Sequence, residues 1–197
     1  MTIQTKSEVA EYWEERYKND STGWDMEKIS PPLKAYFDQL EDKNIKMLIP
    51  GCGNAYEAEY LIRNNFTNVH VLDIAKQPLT NLKDRVNNSK ALHLHNIDFF
   101  DFNGKFDLII EQTFFCSLEP EYRIDYSDKI ANLLKEDARL VGLLFDFPLK
   151  SGPPYGGNMH EYKTYFEPNF HFKTFQRCYN SYYKRHPKEL FINLEKK

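Results

Sequence analysis

Lys46-Met47-Leu48-Ile49-Pro50-Gly51-Cys52-Gly53-Asn54-Ala55 reads as a short apolar strand that breaks into a glycine turn and restarts as a helix. A second apolar run, Val69-His70-Val71-Leu72, closes on Asp73. A glycine turn after one strand, with an acid ending the next, is the pattern of a nucleoside held at the carboxyl edge of a parallel sheet. Glycine lets the backbone approach a ligand closely because no Cβ intervenes. A carboxylate can accept hydrogen bonds from both ribose hydroxyls. Asp is also a common turn residue, so Asp73 has a second reading as a cap on the turn that follows it.

The turn narrows the choice of nucleoside. A dinucleotide fingerprint carries a third glycine where the helix packs on the sheet, and Tyr56 stands at that position. No Gly-Lys-Ser/Thr follows, which excludes a phosphate-binding P-loop. A cofactor without phosphates needs no phosphate cradle, and S-adenosyl-L-methionine (SAM) meets that description. A lone Gly-x-Gly is also compatible with a plain strand-to-helix turn, so the rest of the chain has to decide.

Outward from this stretch, helix 55–64 follows the turn, and strand 69–73 leads to helix 78–86. Strand 91–95 ends in the turn Asn96-Ile97-Asp98-Phe99-Phe100. Strand 106–110 passes through a long loop to helix 125–135 and strand 139–145. Strands alternating with helices imply right-handed βαβ units and a parallel sheet. The stretch 148–168, rich in Gly, Pro and Tyr, reads as a lid or loop. Residues 171–178 and 189–194 read as an antiparallel hairpin at the sheet edge. Upstream, Ser7 and Thr5 are alternative caps for a helix over 7–18, Thr5-Lys6-Ser7-Glu8 matching a capping box, and Ser30-Pro31-Pro32 opens a second. No repeat, low-complexity tract or linker interrupts the chain. One domain over 1–197 is therefore expected, with N-terminal helices over 1–42 and an α/β core over 43–197.

Composition excludes several partners. A net charge of −3 provides no drive toward nucleic acid. No apolar run approaches the roughly 20 residues of a membrane span. The polar start Met1-Thr2-Ile3-Gln4-Thr5-Lys6 lacks a signal-peptide core, and three scattered cysteines do not suggest a disulfide framework. A cytoplasmic protein, most simply a monomer, is expected. His93 and His95 alternate in a strand and share one face; with no third ligand evident they read as structural, and no metal is expected. Cys52 reads as a small filler between glycines.

The order of elements resembles a class I SAM-dependent methyltransferase, a Rossmann-like α/β fold with a mostly parallel seven-stranded sheet, an antiparallel edge hairpin and helices on both faces. Shorter motifs sharpen the likeness. Trp13-Glu14-Glu15-Arg16-Tyr17, Gly23-Trp24-Asp25 and Ser30-Pro31-Pro32-Leu33 resemble the entry region of the thiopurine S-methyltransferase family. Pro50-Gly51-Cys52-Gly53, Asp98-Phe99-Phe100, Phe114-Phe115-Cys116 and Gly152-Pro153-Pro154-Tyr155 do so as well. The resemblance runs over roughly 10 to 195, nearest to the branch that includes plant halide and thiol methyltransferases.

That resemblance implies roles. Trp13, Tyr17 and Trp24 would fold over SAM from the N-terminal side as a lid. Gly51 would approach its methionine part, Asp73 would hold the ribose, and Asp98 and Phe99 would read the adenine. Gln112 stands where the family lines the cofactor site with varied residues. Each has a plainer reading: Trp13 and Trp24 as core anchors, Asp98 as a solvated loop acid, Gln112 as a loop amide. The implied activity is methyl transfer to a small thiol or similar soft nucleophile, such as a thiopurine, thiol, thiocyanate or halide. The alternatives are a small-molecule N- or O-methyltransferase and a SAM-binding regulator without catalysis. A thiolate or halide needs no general base. Asp146, Tyr155 and His160 are candidates for one, none with a catalytic role assigned. Lys184-Arg185-His186-Pro187-Lys188 reads as a solvated turn.

Overall fold

The structure, a computed structural model, describes residues 5–197; residues 1–4, the start of the expected N-terminal segment, lie outside the described residues. The strands are β1 (Met47–Pro50), β2 (Val69–Asp73), β3 (Leu92–Asn96), β4 (Phe106–Gln112), β5 (Leu134–Phe145), β6 (Phe170–Arg177) and β7 (Glu189–Lys196). They form one sheet in the order β3-β2-β1-β4-β5-β7-β6. The first five pair in parallel. β7 runs antiparallel to both β5 and β6. The expected fold, a mostly parallel sheet ending in an antiparallel hairpin, is the one observed.

Alternation along each strand divides the core into two layers. Met47, Ile49, Leu108, Ile110 and Val141 face one side, where α2 (Pro31–Phe37), α3 (Tyr56–Arg63) and α4 (Gln77–Arg85) bury Leu33, Phe37, Ala58, Leu61, Leu79 and Leu82. Leu48, Ile109, Leu140 and Leu144 face the other, against Tyr126 and Ile130 of α5 (Arg123–Leu133) and Tyr162 and Phe166 of α6 (Met159–Phe166). Helices thus cover both faces, as a parallel sheet requires.

Two elements depart from the expectation. The stretch 148–168 contains the helix α6. Asn158 caps it by accepting the Glu161 N–H, and Tyr162 and Phe166, one turn apart, are fully buried. Eight residues carry too little helical period to stand out from a Gly- and Pro-rich neighbourhood. β5 begins at Leu134 and not at 139, and α5 correspondingly ends at Leu133. Exposed Lys135, Glu136 and Asp137 conceal that start. Leu134 pairs with Phe106 before a register shift resets the ladder at Arg139.

α1 (Lys6–Lys18) opens with the expected capping box on Thr5 and Glu8. It buries no residue. Polar ties hold it in place: Glu14 Oε2 accepts the N–H groups of Lys76 and Gln77 at 2.8 and 3.0 Å, capping the start of α4, and Lys6 Nζ pairs with Asp101 at 2.6 Å. α2, by contrast, is anchored in the core through Leu33 and Phe37.

His93 and His95 share a face, as their spacing predicts, and His70 of β2 joins them. Its ring stacks on His93 at 4.3 Å, and its Nδ1 lies 2.9 Å from His95 Nε2. The rings lie near parallel, at 20° and 3°. Among the described residues no group of three or more His, Cys, Asp or Glu is placed to hold a metal ion. Burial, then the neighbouring His93 and His95, push the His70 pKa down to about 3. A histidine kept neutral in the folded state stabilises it above the unfolded pKa of about 6.5, and that contribution is lost as pH falls toward 3. His70→Gln should therefore flatten the acid limb of a plot of melting temperature against pH in that window. An unchanged slope would remove His70 from the acid response.

Candidate active site

The chain order reverses between β1 and β4: β2 and β3 extend one side of β1, and β4, β5, β7 and β6 the other. In open α/β sheets ligands bind at such a switch point, outside the carboxyl ends of the strands. A cavity of about 990 Å³ opens there. Trp13, Tyr17, Trp24, Gly51, Asp73, Asp98, Phe99 and Gln112 all line it. Residues from six separate segments of the sequence are thereby brought to one place.

The glycine turn is tied to the neighbouring strand. Asp73, 6% exposed, accepts the N–H of Gly53 through Oδ2 and that of Ala75 through Oδ1, each at 2.9 Å. Its two readings are therefore compatible: a carboxylate has about four acceptor sites, and two serve the turns. Burial raises its pKa to about 6, with the N–H groups of Ala75, Gly53 and Ile74 pulling the other way. Gly51 and Gly53 have φ of +54° and +52°, the left-handed region that glycine enters without strain. A Cβ on Gly51 would run into the Phe114 ring, and one on Gly53 would come within 2.7 Å of the Tyr17 hydroxyl. The close approach at Gly51 is thus used by Phe114, a contact the sequence did not signal. Cys52 is half-buried between the two; burial and then Asp73 raise its thiol pKa, so it remains protonated, in keeping with a filler.

The N-terminal aromatics are not core anchors. Trp13, Tyr17 and Trp24 are all partly exposed. They form a cluster centred on Trp24, with ring centroids 5.4 and 5.8 Å away and edge-to-face geometry. The Arg16 guanidinium lies 5.0 Å over the Trp24 ring.

On the β3 side, Asp98 Oδ1 accepts the Phe100 N–H at 2.8 Å, which shapes the loop. Phe99 is 3% exposed and packs 5.2 Å from Phe114. Both amide atoms of Gln112 are buried and have no partner. A buried polar group left unsatisfied costs roughly 1–3 kcal/mol. Gln112 as a residue lines the cavity, so this unpaired amide lies beside a space that a polar ligand can enter. An orphaned amide, a carboxylate with spare acceptor capacity and a wall of aromatic rings fit a nucleoside that carries an amino acid and a sulfonium.

Of the three candidate bases, only Tyr155 lines the cavity. Burial raises its phenol pKa, which makes it a poor base at neutral pH. Asp146 lies outside and pairs with Arg177. His160 is exposed on α6. Both fall because their side chains leave the strand end and the helix on the side away from the cleft.

The reading of 184–188 as a solvated turn fails at one residue. Lys184, His186 and Lys188 are exposed, but the Arg185 side chain is 10% exposed and turned inward. Its Nη2 donates to the Trp24 carbonyl at 2.6 Å, and Nη1 lies 3.3 Å from Glu189, which is 1% exposed. Glu57, also buried, accepts the Ser30 N–H at 3.0 Å and lines the cavity. Neither residue has a sequence signal, because charged side chains in turns and first helical turns are ordinarily solvated.

Phosphate-free nucleoside cofactors are held at this switch point by class I SAM-dependent methyltransferases, and that is the class the fold and cleft define. The chain belongs to the thiopurine S-methyltransferase family: the family model described as "Thiopurine S-methyltransferase (TPMT)" matches residues 9–195. It is 32% identical over 162 residues to a probable thiol methyltransferase 2 of Arabidopsis thaliana, covering 79% of this chain and 71% of that protein. It is 28% identical over 162 residues to thiocyanate methyltransferase 1 of Brassica oleracea, with the same coverage. A thiopurine S-methyltransferase of Nitrosospira multiformis shares 26% over 168 residues, 74% of this chain and 75% of the relative. Among solved structures, the 1,6-didemethyltoxoflavin-N1-methyltransferase of Burkholderia thailandensis, with 1,6-didemethyltoxoflavin and S-adenosylhomocysteine bound, superposes with a TM-score of 0.79. It shares 16% identity and the match covers all of this chain and 92% of that one. The magnesium protoporphyrin IX methyltransferase of Synechocystis with bound SAM gives 0.76 at 11% identity, both chains fully covered. These structures share the fold. The protein is a SAM-dependent methyltransferase.

Proposed function

We propose that this enzyme methylates a small, soft, anionic nucleophile, a thiolate first of all, with thiocyanate or halide as related acceptors. The observation that supports it most is the polarity of the cleft along the sheet edge. Asp73 and Asp98 stand at its β2–β3 end; Lys184, Arg185 and Lys188 stand at its β7–β6 end, with Phe145 and Phe147 beside them, while Glu119 and Glu121 lie near Tyr155 elsewhere in the lining. The acids accord with ribose and adenine at one end. The cations and rings accord with a polarisable anion at the other.

When bound, SAM supplies a methyl group on a sulfonium, open to in-line displacement. The chain's own task is then alignment and exclusion of water. Trp13 and Tyr17 of α1 and Trp24 of the loop after it close one side as a lid, and Gly152–Tyr155 the other. The aromatic faces attract the sulfonium by about 0.5–2 kcal/mol, which aids binding more than rate, because that charge is partly cancelled in the transition state. A free thiol has a pKa of about 8.5. The Arg185 guanidinium favours the thiolate, so the lack of a base among the lining candidates is consistent with this acceptor. A cavity near the upper end of the roughly 300–1,000 Å³ range of small-molecule pockets leaves room beside a cofactor, which argues against a regulator closed to acceptors. Among the described residues no helix is long and apolar enough to cross a membrane, and three unpaired cysteines accord with a cytoplasmic enzyme.

The test is a panel of thiols, thiocyanate, iodide and amines incubated with protein and SAM, with S-adenosylhomocysteine quantified. Turnover confined to amines, or none with any soft nucleophile, would overturn the proposal. Trp24→Ala should raise the apparent constants for SAM and acceptor together, each roughly 3- to 10-fold, by removing the centre of the lid cluster. A lowered melting temperature with both constants unmoved would make Trp24 a folding residue only.

A further inference from the structure

We infer that Glu111 is a positioning residue that joins the two halves of the cofactor site, setting Gln112 and Phe114 on one side and Phe99 on the other. The inference rests on SAM as cofactor and not on the identity of the acceptor.

Glu111 is the penultimate residue of β4 and is fully buried. After it the chain kinks: Thr113 has φ of +62°. The carboxylate reaches across that kink. Its Oε1 accepts the N–H groups of Phe114 and Phe115 at 2.8 and 2.9 Å, and its Oε2 accepts the Tyr126 hydroxyl at 2.6 Å. Gly142 of β5 packs so tightly that a Cβ there would meet the Glu111 main chain, so the strand end has no room to drift.

Both consequences face the cleft. On one side the clamped kink fixes Gln112, a lining residue whose buried amide has no partner, and seats the Phe114 ring over Gly51. On the other, Tyr126 stacks on Phe99 at 5.5 Å and 29°. One carboxylate therefore links the loop at the glycine turn to the ring at the adenine loop. Its hydrogen-bond partners include no cation. An unpaired buried carboxyl costs more than an apolar residue of the same size. Packing alone would favour leucine or methionine here. What Glu111 adds is a single point that accepts three hydrogen bonds.

The test compares Glu111→Gln with Glu111→Met by calorimetric titration with S-adenosylhomocysteine, which needs no acceptor. Gln keeps both acceptances from the backbone and can donate to the Tyr126 oxygen; Met has similar length and volume but accepts nothing. Gln is expected to bind within about twofold of the parent, and Met about tenfold more weakly or worse, with stoichiometry near one. A merely structural role would lower the stoichiometry and melting temperature of the Met variant and leave its Kd unchanged; that result overturns the inference. So does a Gln variant as weak as Met, since the accepted bonds would then not be what matters. If the Met variant does not fold, Tyr126→Phe decides. It keeps the ring and removes the hydroxyl link, and should weaken binding about threefold. An unchanged Kd for that variant overturns the coupling.

Discussion

Asp73→Ala should weaken binding of SAM and S-adenosylhomocysteine by roughly 10- to 100-fold, about 1–3 kcal/mol, in a protein that still folds. Two losses combine. Ribose hydroxyls would lose a charged acceptor, and the Gly53 and Ala75 N–H groups lose theirs, loosening the turn that approaches the cofactor. The pH dependence separates binding from folding. The carboxyl titrates near 6 in the free protein, and only its ionised form presents its full set of acceptors. Affinity should therefore fall as pH drops through 6. Stability moves the other way. A carboxyl whose folded pKa exceeds its unfolded value of about 3.9 favours the folded state when protonated, so its contribution is present at low pH and is lost as pH rises through 6. Asp73→Ala should abolish both trends. Unchanged affinity in a folded variant would take the carboxylate off the ribose.

Arg185→Met should lower the melting temperature by roughly 6–12 °C, from about 3 kcal/mol lost. The reason is what remains behind. Glu189 is 1% exposed, its Oε2 already has no partner, and Arg185 is the cation beside its Oε1. Removing the guanidinium strands a buried carboxylate and also frees the Trp24 carbonyl. Arg185→Met combined with Glu189→Gln should recover most of the stability, because no uncompensated charge is left. The double variant should still bind acceptor poorly, since the positive end of the cleft is reduced and the lid has lost its tie. Lysine should restore less than the parent, because it cannot serve Trp24 and Glu189 with a planar fork. A single variant that melts within about 2 °C of the parent would show that water already screens the pair.

The legible parts of this protein were local. The turn at 51–53 could be read because left-handed backbone selects glycine within a few residues, and β1, β2 and β4 because short apolar stretches within them, such as Met47–Ile49 and Leu108–Ile110, stand out locally. Thr5 and Glu8 announced α1 because a capping box closes over three residues. The helix at 159–166 was missed because only Tyr162 and Phe166 reveal its buried side, and their burial is made by Phe115, Tyr126 and Phe170 from elsewhere in the chain. The candidate bases Asp146 and His160 were misplaced for a related reason: sequence places a residue near a strand end but does not say which way its side chain leaves.

From residue order alone came the alternation of strands and helices, the glycine turn, the acid that closes the next strand and the aromatic segment ahead of them, because backbone preference and hydrophobic period act over short spans. The folded molecule alone decided which charges turn inward. Arg185 is buried while Lys184 and Lys188 beside it are exposed, and the carbonyl that draws it in belongs to a residue 161 positions away. Glu111 looks like any acid at a strand end until Phe114, Phe115 and Tyr126 close on it. Burial of a charge depends on partners that only distant segments can bring, and no short window of sequence contains them.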